Sequence, residues 1–297
     1  MTRPSEVKAL CFGETLFDLM PSGKMPGGAP MNVALHLQNL GISSGVISRV
    51  GSDELGRELL ALLKEKGVST ALVQVDETRP TGTVEVELDE NKNATYNIVE
   101  DVSWDYVENP VEVIEFNPEY VIFGSLACRS EKSKASLLQL LNLTSATTVF
   151  DVNLRAPYYD ETLIATLLKK ANIVKMNEDE FELLKDWFGI KKTTLEAELA
   201  ELQLKYPDLE MIIITLGDDG AIAWCNGKLF TASGISIVVE DTVGSGDSFL
   251  AAFISRYSGE ESIEEALHFA TAVGALVATQ KGANPSYTEK DVQNLMK

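Results

Sequence analysis

The sequence predicts an α/β protein built on a mostly parallel sheet, with a smaller β-sheet attached as a lid. Three observations lead there. From residue 120 onward, short apolar runs alternate with amphipathic helical stretches, the rhythm of βαβ units. Those runs, such as Met211-Ile212-Ile213-Ile214, are apolar at consecutive positions, as strands covered on both faces are. Between residues 72 and 99 the pattern alternates instead (Thr83-Val84-Glu85-Val86-Glu87-Leu88; Ala94-Thr95-Tyr96-Asn97-Ile98-Val99) around a turn at Asp89-Glu90-Asn91. Alternation leaves one face wet, so this reads as a small antiparallel sheet that serves as a lid over a site or a clasp between subunits.

Composition sets the outer limits. A chain of 297 residues with 45% hydrophobic content forms one large α/β domain or two modest ones with a substantial core. Lys+Arg 25 against Asp+Glu 45 gives a formal charge of -20, which repels nucleic acid and anionic membrane surfaces. Any phosphate it binds is therefore held locally. Cys11, Cys128 and Cys225 lie in apolar strand-like runs without a Cys-x-x-Cys, and read as buried thiols, not as a disulfide frame or zinc site. Residues 1–7 are polar and lead straight into a strand, and no apolar run approaches the ~18 residues of a membrane span. The expectation is a cytoplasmic protein.

Residues 7–13 form the first predicted strand, followed by Glu14-Thr15-Leu16-Phe17-Asp18 and a Pro/Gly-rich loop over 21–28. Asp18 stands just past the strand's carboxyl end, the edge where open α/β sheets hold ligands. There it either binds sugar hydroxyls or caps its own loop. Pro26-Gly27-Gly28-Ala29-Pro30-Met31-Asn32 opens a helix with Val33, Leu37 and Leu40 on one face, which stops at Gly41. Gly27, Gly28 and the Asn32 amide suit a small polar ligand, or a simple turn. A strand over 45–51 and a helix capped by Asp53, running to Gly67, come next. Gly41-Ile42-Ser43-Ser44-Gly45 matches a nucleophile elbow, but it joins helix to strand, the reverse of the required context, and is rejected.

After the lid come a strand over 121–125, a helix over 133–143, a strand over 147–152, a helix over 162–170 and a strand over 173–176. Two strand ends carry polar clusters at a shared edge: Asp151-Val152-Asn153-Leu154-Arg155 and Lys175-Met176-Asn177-Glu178-Asp179-Glu180. A polar helix over 194–206 precedes the strand Met211 to Leu216, a Thr/Gly turn, and a strand over 221–225. The last long helix carries Ala266, Ala270, Ala272, Gly274, Ala275 and Ala278, which would leave room for a flat ring such as adenine.

The chemistry concentrates between residues 235 and 250. Ile235, Ile237, Val238 and Val239 read as a strand, Gly244-Ser245-Gly246 as a tight turn, and Phe249, Leu250, Phe253 and Ile254 as one face of a helix. The first N–H groups of such a helix lack intrahelical partners and carry the positive end of the dipole, so the turn can hold an anion. Asp247, directly behind the glycines, could then take the proton of a hydroxyl attacking a phosphate. The same residues also fit an ordinary capped helix start, so the turn alone does not decide. Phe249 stands where a dinucleotide fingerprint needs its third glycine, and no Gly-x-x-x-x-Gly-Lys-Ser/Thr occurs.

Taken together, Pro26-Gly27-Gly28 with Asn32, and Asp241-Thr242-Val243-Gly244-Ser245-Gly246-Asp247-Ser248-Phe249, resemble the two signatures of the ribokinase (PfkB) family of carbohydrate kinases. Within it the chain is most similar to bacterial fructokinases, through Cys11-Phe12-Gly13-Glu14 with Asp18, Gly27-Gly28-Ala29-Pro30 and Asp151-Val152-Asn153-Leu154-Arg155. The resemblance implies one ribokinase-like kinase domain over 1–297, a three-layer α/β/α sandwich. Its lid would come from about 14–26 and 72–101 and its nucleotide-binding half from about 151–297. It further implies ATP with Mg²⁺ as donor, and γ-phosphoryl transfer to a sugar hydroxymethyl, first of all fructose to fructose 6-phosphate.

By position, the resemblance makes Asp247 the base and Gly244, Ser245 and Gly246 the anion hole. Asp18, Gly27, Gly28, Asn32 and Arg155 become sugar contacts; Lys175, Asn177, Thr215, Gly217, Gly220 and Asn284 become nucleotide contacts. Glu180 falls where Mg²⁺ and phosphate are arranged, Asp241 and Ala283 where relatives bind K⁺. Two departures stand out: Ser245 for a more usual Ala, and Met31 for a usual small residue near the sugar. Rival readings are a kinase for 2-keto-3-deoxygluconate, a kinase for a nucleoside stacked on Tyr96 and Trp104, and a non-catalytic sugar-binding sensor. A dinucleotide-dependent oxidoreductase lacks its fingerprint. A homodimer through the lid is the one protein partner expected.

Overall fold

A computed structural model gives the fold and describes residues 7–20, 23–88, 94–108, 116–259 and 261–297. In chain order the first half comprises β1 (Ala9–Phe12), β2 (Leu16–Met20), β3 (Gly23–Gly27), α1 (Ala29–Asn39), β4 (Ser44–Gly51), α2 (Glu54–Glu65), β5 (Val73–Asp76), β6 (Gly82–Leu88) and β7 (Ala94–Ile98). There follow β8 (Tyr120–Gly124), α3 (Glu131–Leu143), β9 (Thr147–Asp151), α4 (Glu161–Leu168), β10 (Ile173–Asn177), α5 (Glu178–Phe188) and α6 (Leu195–Lys205). The chain closes with β11 (Met211–Thr215), β12 (Gly220–Cys225), β13 (Lys228–Ser233), α7 (Ser245–Tyr257), α8 (Ile263–Ala278) and α9 (Glu289–Leu295).

The large sheet has the order β13-β12-β11-β10-β9-β8-β1-β4-β5, with every neighbouring pair parallel except β11–β12 and β12–β13. Its central strands are covered on both faces, and β1 shows why. Ala9 and Cys11 point into one apolar layer, shared with α1, α2, α7 and α8, while Leu10 and Phe12 point into another, shared with α3, α4, α5 and α6. The result is the three-layer α/β/α body expected from the sequence. The chain leaves β1 toward β4 and β5 and returns on its other side through β8, so the strand order reverses at β1. A crevice at the carboxyl ends of the parallel strands follows from that reversal.

The smaller sheet, β3-β2-β6-β7, differs from expectation in three respects. It is mixed, because β2 and β6 run parallel while β2–β3 and β6–β7 are antiparallel. Part of the loop expected over 21–28 is strand β3, which tolerates Pro26 because it is an edge strand. And β5, placed with the lid by its polar alternation, pairs with β4 at the rim of the large sheet. The turn expected at Asp89-Glu90-Asn91, the polar N-terminal residues 1–6, and Pro21 and Ser22 lie outside the described residues.

One further correction bears on the site. Residues 235–239 form no strand; the stretch from Gly234 to α7 is irregular, and Val238 is 89% exposed. The strand preceding it is β13, the second arm of a hairpin with β12. Its turn is Asn226-Gly227, both at positive φ (52° and 72°), the backbone a two-residue primed hairpin turn requires.

Candidate active site

The carboxyl ends of β1, β9, β10 and β11 bring Glu14, Asp151, Lys175, Asn177 and Thr215 to one edge of the sheet. Opposite this edge α7 begins. Its N-cap is Gly244 at φ 77°, where a Cβ would lie 2.7 Å from the Ala283 carbonyl oxygen, so only glycine fits. Ser245 donates its N–H to the Thr242 carbonyl at 3.2 Å, whereas Gly246 and Asp247 have no carbonyl one helical turn behind them within α7. A Cβ on Gly246 would stand 3.0 Å from the Lys175 ammonium. That cation therefore lies directly beside the expected anion hole. The Ser245 hydroxyl, which replaces a more usual methyl, donates to the Gly274 carbonyl at 3.1 Å and is thereby accommodated.

Asp247 is half-buried in the crevice. One oxygen, Oδ2, accepts from Asn32 Nδ2 at 2.8 Å. Burial pushes its pKa up to about 6, the Asp151 carboxylate pushes the same way, and Asn32, Lys175 and Arg155 oppose them. Lys175 is itself buried against Asp151, with Nζ 3.0 and 3.3 Å from the two carboxylate oxygens. Burial works against its charge, yet Asp151, Glu180 and Asp247 together raise its pKa, so it is a permanent ammonium.

The side expected to hold the acceptor is built from three chain segments. Asn32 is buried on α1. Asp18 lies on lid strand β2, where its Oδ2 would be 2.5 Å from a Cβ on Gly27, so a side chain there would collide with the carboxylate. Burial pushes the Asp18 pKa up to about 6, against Arg155. Gly28 has φ 109°, and a Cβ on it would meet the Glu14 carbonyl oxygen at 2.4 Å. Arg155 is exposed, on the turn after β9, and its charge bears on Asp18, Glu14 and Asp247. Met31 is fully buried in the layer beneath α1 and fills the core instead of facing a ligand.

Other expected residues sit differently. Glu180 uses both oxygens as caps: Oε2 accepts from Asn177 N–H at 2.9 Å and Oε1 from Leu154 N–H at 2.8 Å. It ties the Arg155 turn to the start of α5, and Asn177 returns a bond to the Glu180 N–H at 2.8 Å. Asn284, grouped above with the nucleotide contacts, donates instead to Asn32 Oδ1 at 2.7 Å and so reaches the acceptor side. Asp241 accepts from the N–H groups of Val243 and Gly282, both at 3.0 Å, which puts it next to Ala283. Among the described residues, no three His, Cys, Asp or Glu side chains cluster to hold a metal. Thr215, Gly217 and Gly220 surround the β11–β12 connection, closed by a Leu216 N–H bond to the Gly220 carbonyl at 2.8 Å.

Packing bears on two expectations about flat rings. Ala266, Ala270 and Ala272 of α8 are fully buried in the apolar layer shared with α7, where their small size serves helix packing, whereas Ala275 on the same helix is half-buried. Trp104 is only 1% exposed, with the Arg129 guanidinium 3.8 Å over its ring, and offers no face to a nucleoside. The Tyr96 side chain lies outside those described. Sequence reasoning missed Glu14 as part of the site, although it stands one residue past Gly13 at the same edge. It is 3% exposed, its Oε2 has no hydrogen-bond partner among the described residues, and burial pushes its pKa up to about 7.

The model of the family described as "pfkB family carbohydrate kinase" matches residues 7–290. The chain belongs to the pfkB family of carbohydrate kinases. Members of this family similar to it include probable fructokinase-5 of Arabidopsis thaliana, 30% identical with 96% of each chain covered. Fructokinase-1 of Oryza sativa subsp. japonica is 29% identical, again over 96% of each. A fructokinase from Xylella fastidiosa solved with bound ATP superposes with a TM-score of 0.87, at 22% identity and 98% coverage of both chains. A Vibrio cholerae O395 fructokinase bound to fructose, ADP and calcium gives 0.83, at 24% identity over 99% of this chain and all (100%) of that one. The fold is ribokinase-like, and this pfkB-family chain is a phosphotransferase acting on a sugar.

Proposed function

We propose that this sugar kinase is an ATP-dependent fructokinase that converts fructose to fructose 6-phosphate, with Asp247 as general base. The observation that carries the reading is the position of Asp247, between the Asn32 contact on the acceptor side and the start of α7 with Lys175 beside it. A hydroxyl that gives its proton to Asp247 stands next to the glycine-lined start of α7, and the Lys175 ammonium balances charge on the transferred group. The Gly246 and Asp247 N–H groups hold the phosphates, and Thr215, Gly217 and Gly220 shape the nucleotide side. Mg²⁺ would neutralise phosphate charge when bound; Glu180, whose two oxygens each accept one backbone N–H, would hold it together with the phosphates. Asp241 and the Ala283 carbonyl supply oxygen donors of the kind a K⁺ ion takes.

The acceptor preference follows from charge. Glu14, Asp18 and Asp247 face a single exposed cation, Arg155, which favours a neutral polyol over a sugar acid such as 2-keto-3-deoxygluconate. The covered Trp104 disfavours a nucleoside. The names of similar proteins, fructokinases from plants and bacteria, point the same way. A homodimer through the lid belongs to this reading, and a monomer mass by light scattering at micromolar concentration would remove it. No helix among the described residues is long and apolar enough to cross a membrane.

The test is ATP turnover with Mg²⁺ and K⁺ across fructose, ribose, 2-keto-3-deoxygluconate, adenosine and inosine. The expected result is a kcat/KM for fructose at least ~100-fold above the others, about 2.7 kcal/mol of discrimination. Preference for another acceptor would overturn the fructose assignment and keep the mechanism. Folded protein that binds ATP and phosphorylates none of them would favour the non-catalytic sensor.

A further inference from the structure

We propose that Asn284, on the loop after α8, is a positioning residue for the base: its amide orients Asn32, so that Asn32 donates to one oxygen of Asp247 and leaves the other for the acceptor hydroxyl. The inference deepens the reading of Asp247 as general base and rests on it. It is an argument of donors and acceptors. An ionised carboxylate only accepts, so Asn32, at 2.8 Å from Asp247 Oδ2, presents its NH₂ group there. Its carbonyl oxygen then faces Asn284, which at 2.7 Å has to donate. Turning Asn284 over would set two carbonyl oxygens against each other, or would turn Asn32 as well and set its carbonyl against the carboxylate. The orientation at one end of the relay therefore fixes the orientation at the other.

The loop is anchored for this role. The carbonyl of Ala283, the preceding residue, accepts from His36 Nε2 at 2.8 Å, which leaves Nδ1 to accept from the Tyr287 hydroxyl at 3.0 Å. Asn39 donates to the Tyr287 carbonyl at 3.3 Å. Asn32, His36 and Asn39 recur at four and three residues on α1, so one helix face carries both the amide that meets the base and the anchors of the loop that orients it. Asn284 Oδ1 is enclosed with no hydrogen-bond partner among the described residues, so no other protein donor competes for this amide's orientation. The charged and titratable groups around Asp247 are Asp151 and Lys175 from β9 and β10, Arg155 from the turn after β9, and Cys11 and Glu14 from β1 and the turn after it. Of the groups that hold its pKa down, Asn32 alone is uncharged, which makes the relay separable from the ion pairs.

The experiment compares Asn284→Leu, Asn284→Asp and Asn284→Ser with the parent, using kcat, the KM for fructose, the pH profile of kcat/KM and the thermal midpoint. Asn284→Leu removes the donor and is expected to lower kcat roughly tenfold, the equivalent of ~1.4 kcal/mol for one net hydrogen bond. Asn284→Asp sets a second carboxylate against Asn32, whose one NH₂ group then has two carboxylates competing for it, so its hold on Asp247 weakens. The acid limb of kcat/KM then moves up by about one pH unit, with a larger loss at neutral pH. Asn284→Ser keeps a donor and recovers part of the loss, and it carries the test if either other variant fails to fold. Parent-like kcat and an unmoved acid limb in all variants would overturn the proposal, as would a lowered thermal midpoint without any movement of the limb. Near-normal kcat in Asp247→Asn would sink the underlying base assignment instead, which separates the two failures.

Discussion

Replacing Asp247 by Asn should stabilise the protein while abolishing most of its activity, and the size of the gain can be worked from its environment. Burial first and the Asp151 carboxylate second raise the Asp247 pKa from 3.8 to about 6. A folded-state pKa above the unfolded one means that the native protein keeps a proton the unfolded chain has released. Stability from this group is therefore fully present below about pH 4 and lost as pH rises through about 6. A shift of about two units corresponds to about 3 kcal/mol. Asn cannot ionise, and its carbonyl still accepts from Asn32. At pH 8 the variant should be more stable than the parent by up to about 3 kcal/mol, or about 5 °C in Tm for a chain of this length, and the gap should close toward pH 4. The assay is thermal unfolding of both proteins without ligands at pH 4.5, 6 and 8, alongside kcat, which should fall ~10² to 10⁴-fold. A gap that does not change with pH, or a variant less stable than the parent at pH 8, would refute the claim that Asp247 is held ionised against its surroundings.

In the parent, kcat/KM should fall below about pH 6, because the free enzyme's base is then protonated; a profile flat to pH 5 would contradict this. Lys175→Met should cost about 3–5 kcal/mol by leaving Asp151 buried and unpaired, and adding Asp151→Leu should restore much of the stability but none of the activity; chemical denaturation and turnover of both variants check this. Glu180→Ala should raise the fructose KM as well as the Mg²⁺ requirement, because it also releases the Leu154–Arg155 turn, whereas an altered Mg²⁺ requirement with an unchanged fructose KM would leave Glu180 a metal residue alone. Gly244→Ala forces a Cβ onto the Ala283 backbone at positive φ, and should lower kcat at least ~100-fold in protein that still folds; a milder effect would show that the start of α7 relaxes.

What the sequence disclosed, and what it hid, divides along a physical line. The body was legible because the central strands are mostly apolar at consecutive positions, and β1, with Ala9 and Cys11 in one layer and Leu10 and Phe12 in the other, shows this residue by residue. The start of α7 was legible because Gly244, Gly246 and Asp247 are special in themselves. The strand before it was not: Val238 and Val239 have the β-branched composition of a strand, yet with β13 already the sheet's edge they pair with no strand among the described residues. The true signal was Asn226-Gly227 between two apolar runs, a local hairpin cue that the prominent motif overshadowed. The side of the site that Asn284 serves was hidden, because the contact with Asn32 spans 252 residues and depends on how α1 and the C-terminal loop pack. Glu180 was found by position, and its tie to the Leu154 N–H was hidden, since that contact spans 26 residues.

The split origin of the proposed acceptor contacts bears on the enzyme's economy with ATP. Asp18 belongs to the smaller sheet and Asn32 to the body, and β3 lies between them along the chain. A sugar would span both; a water molecule could touch only one. If placing a hydroxyl at Asp247 for attack depends on bridging the two sheets, water is a poor nucleophile here by size alone, and wasteful hydrolysis is held down without any group dedicated to excluding it.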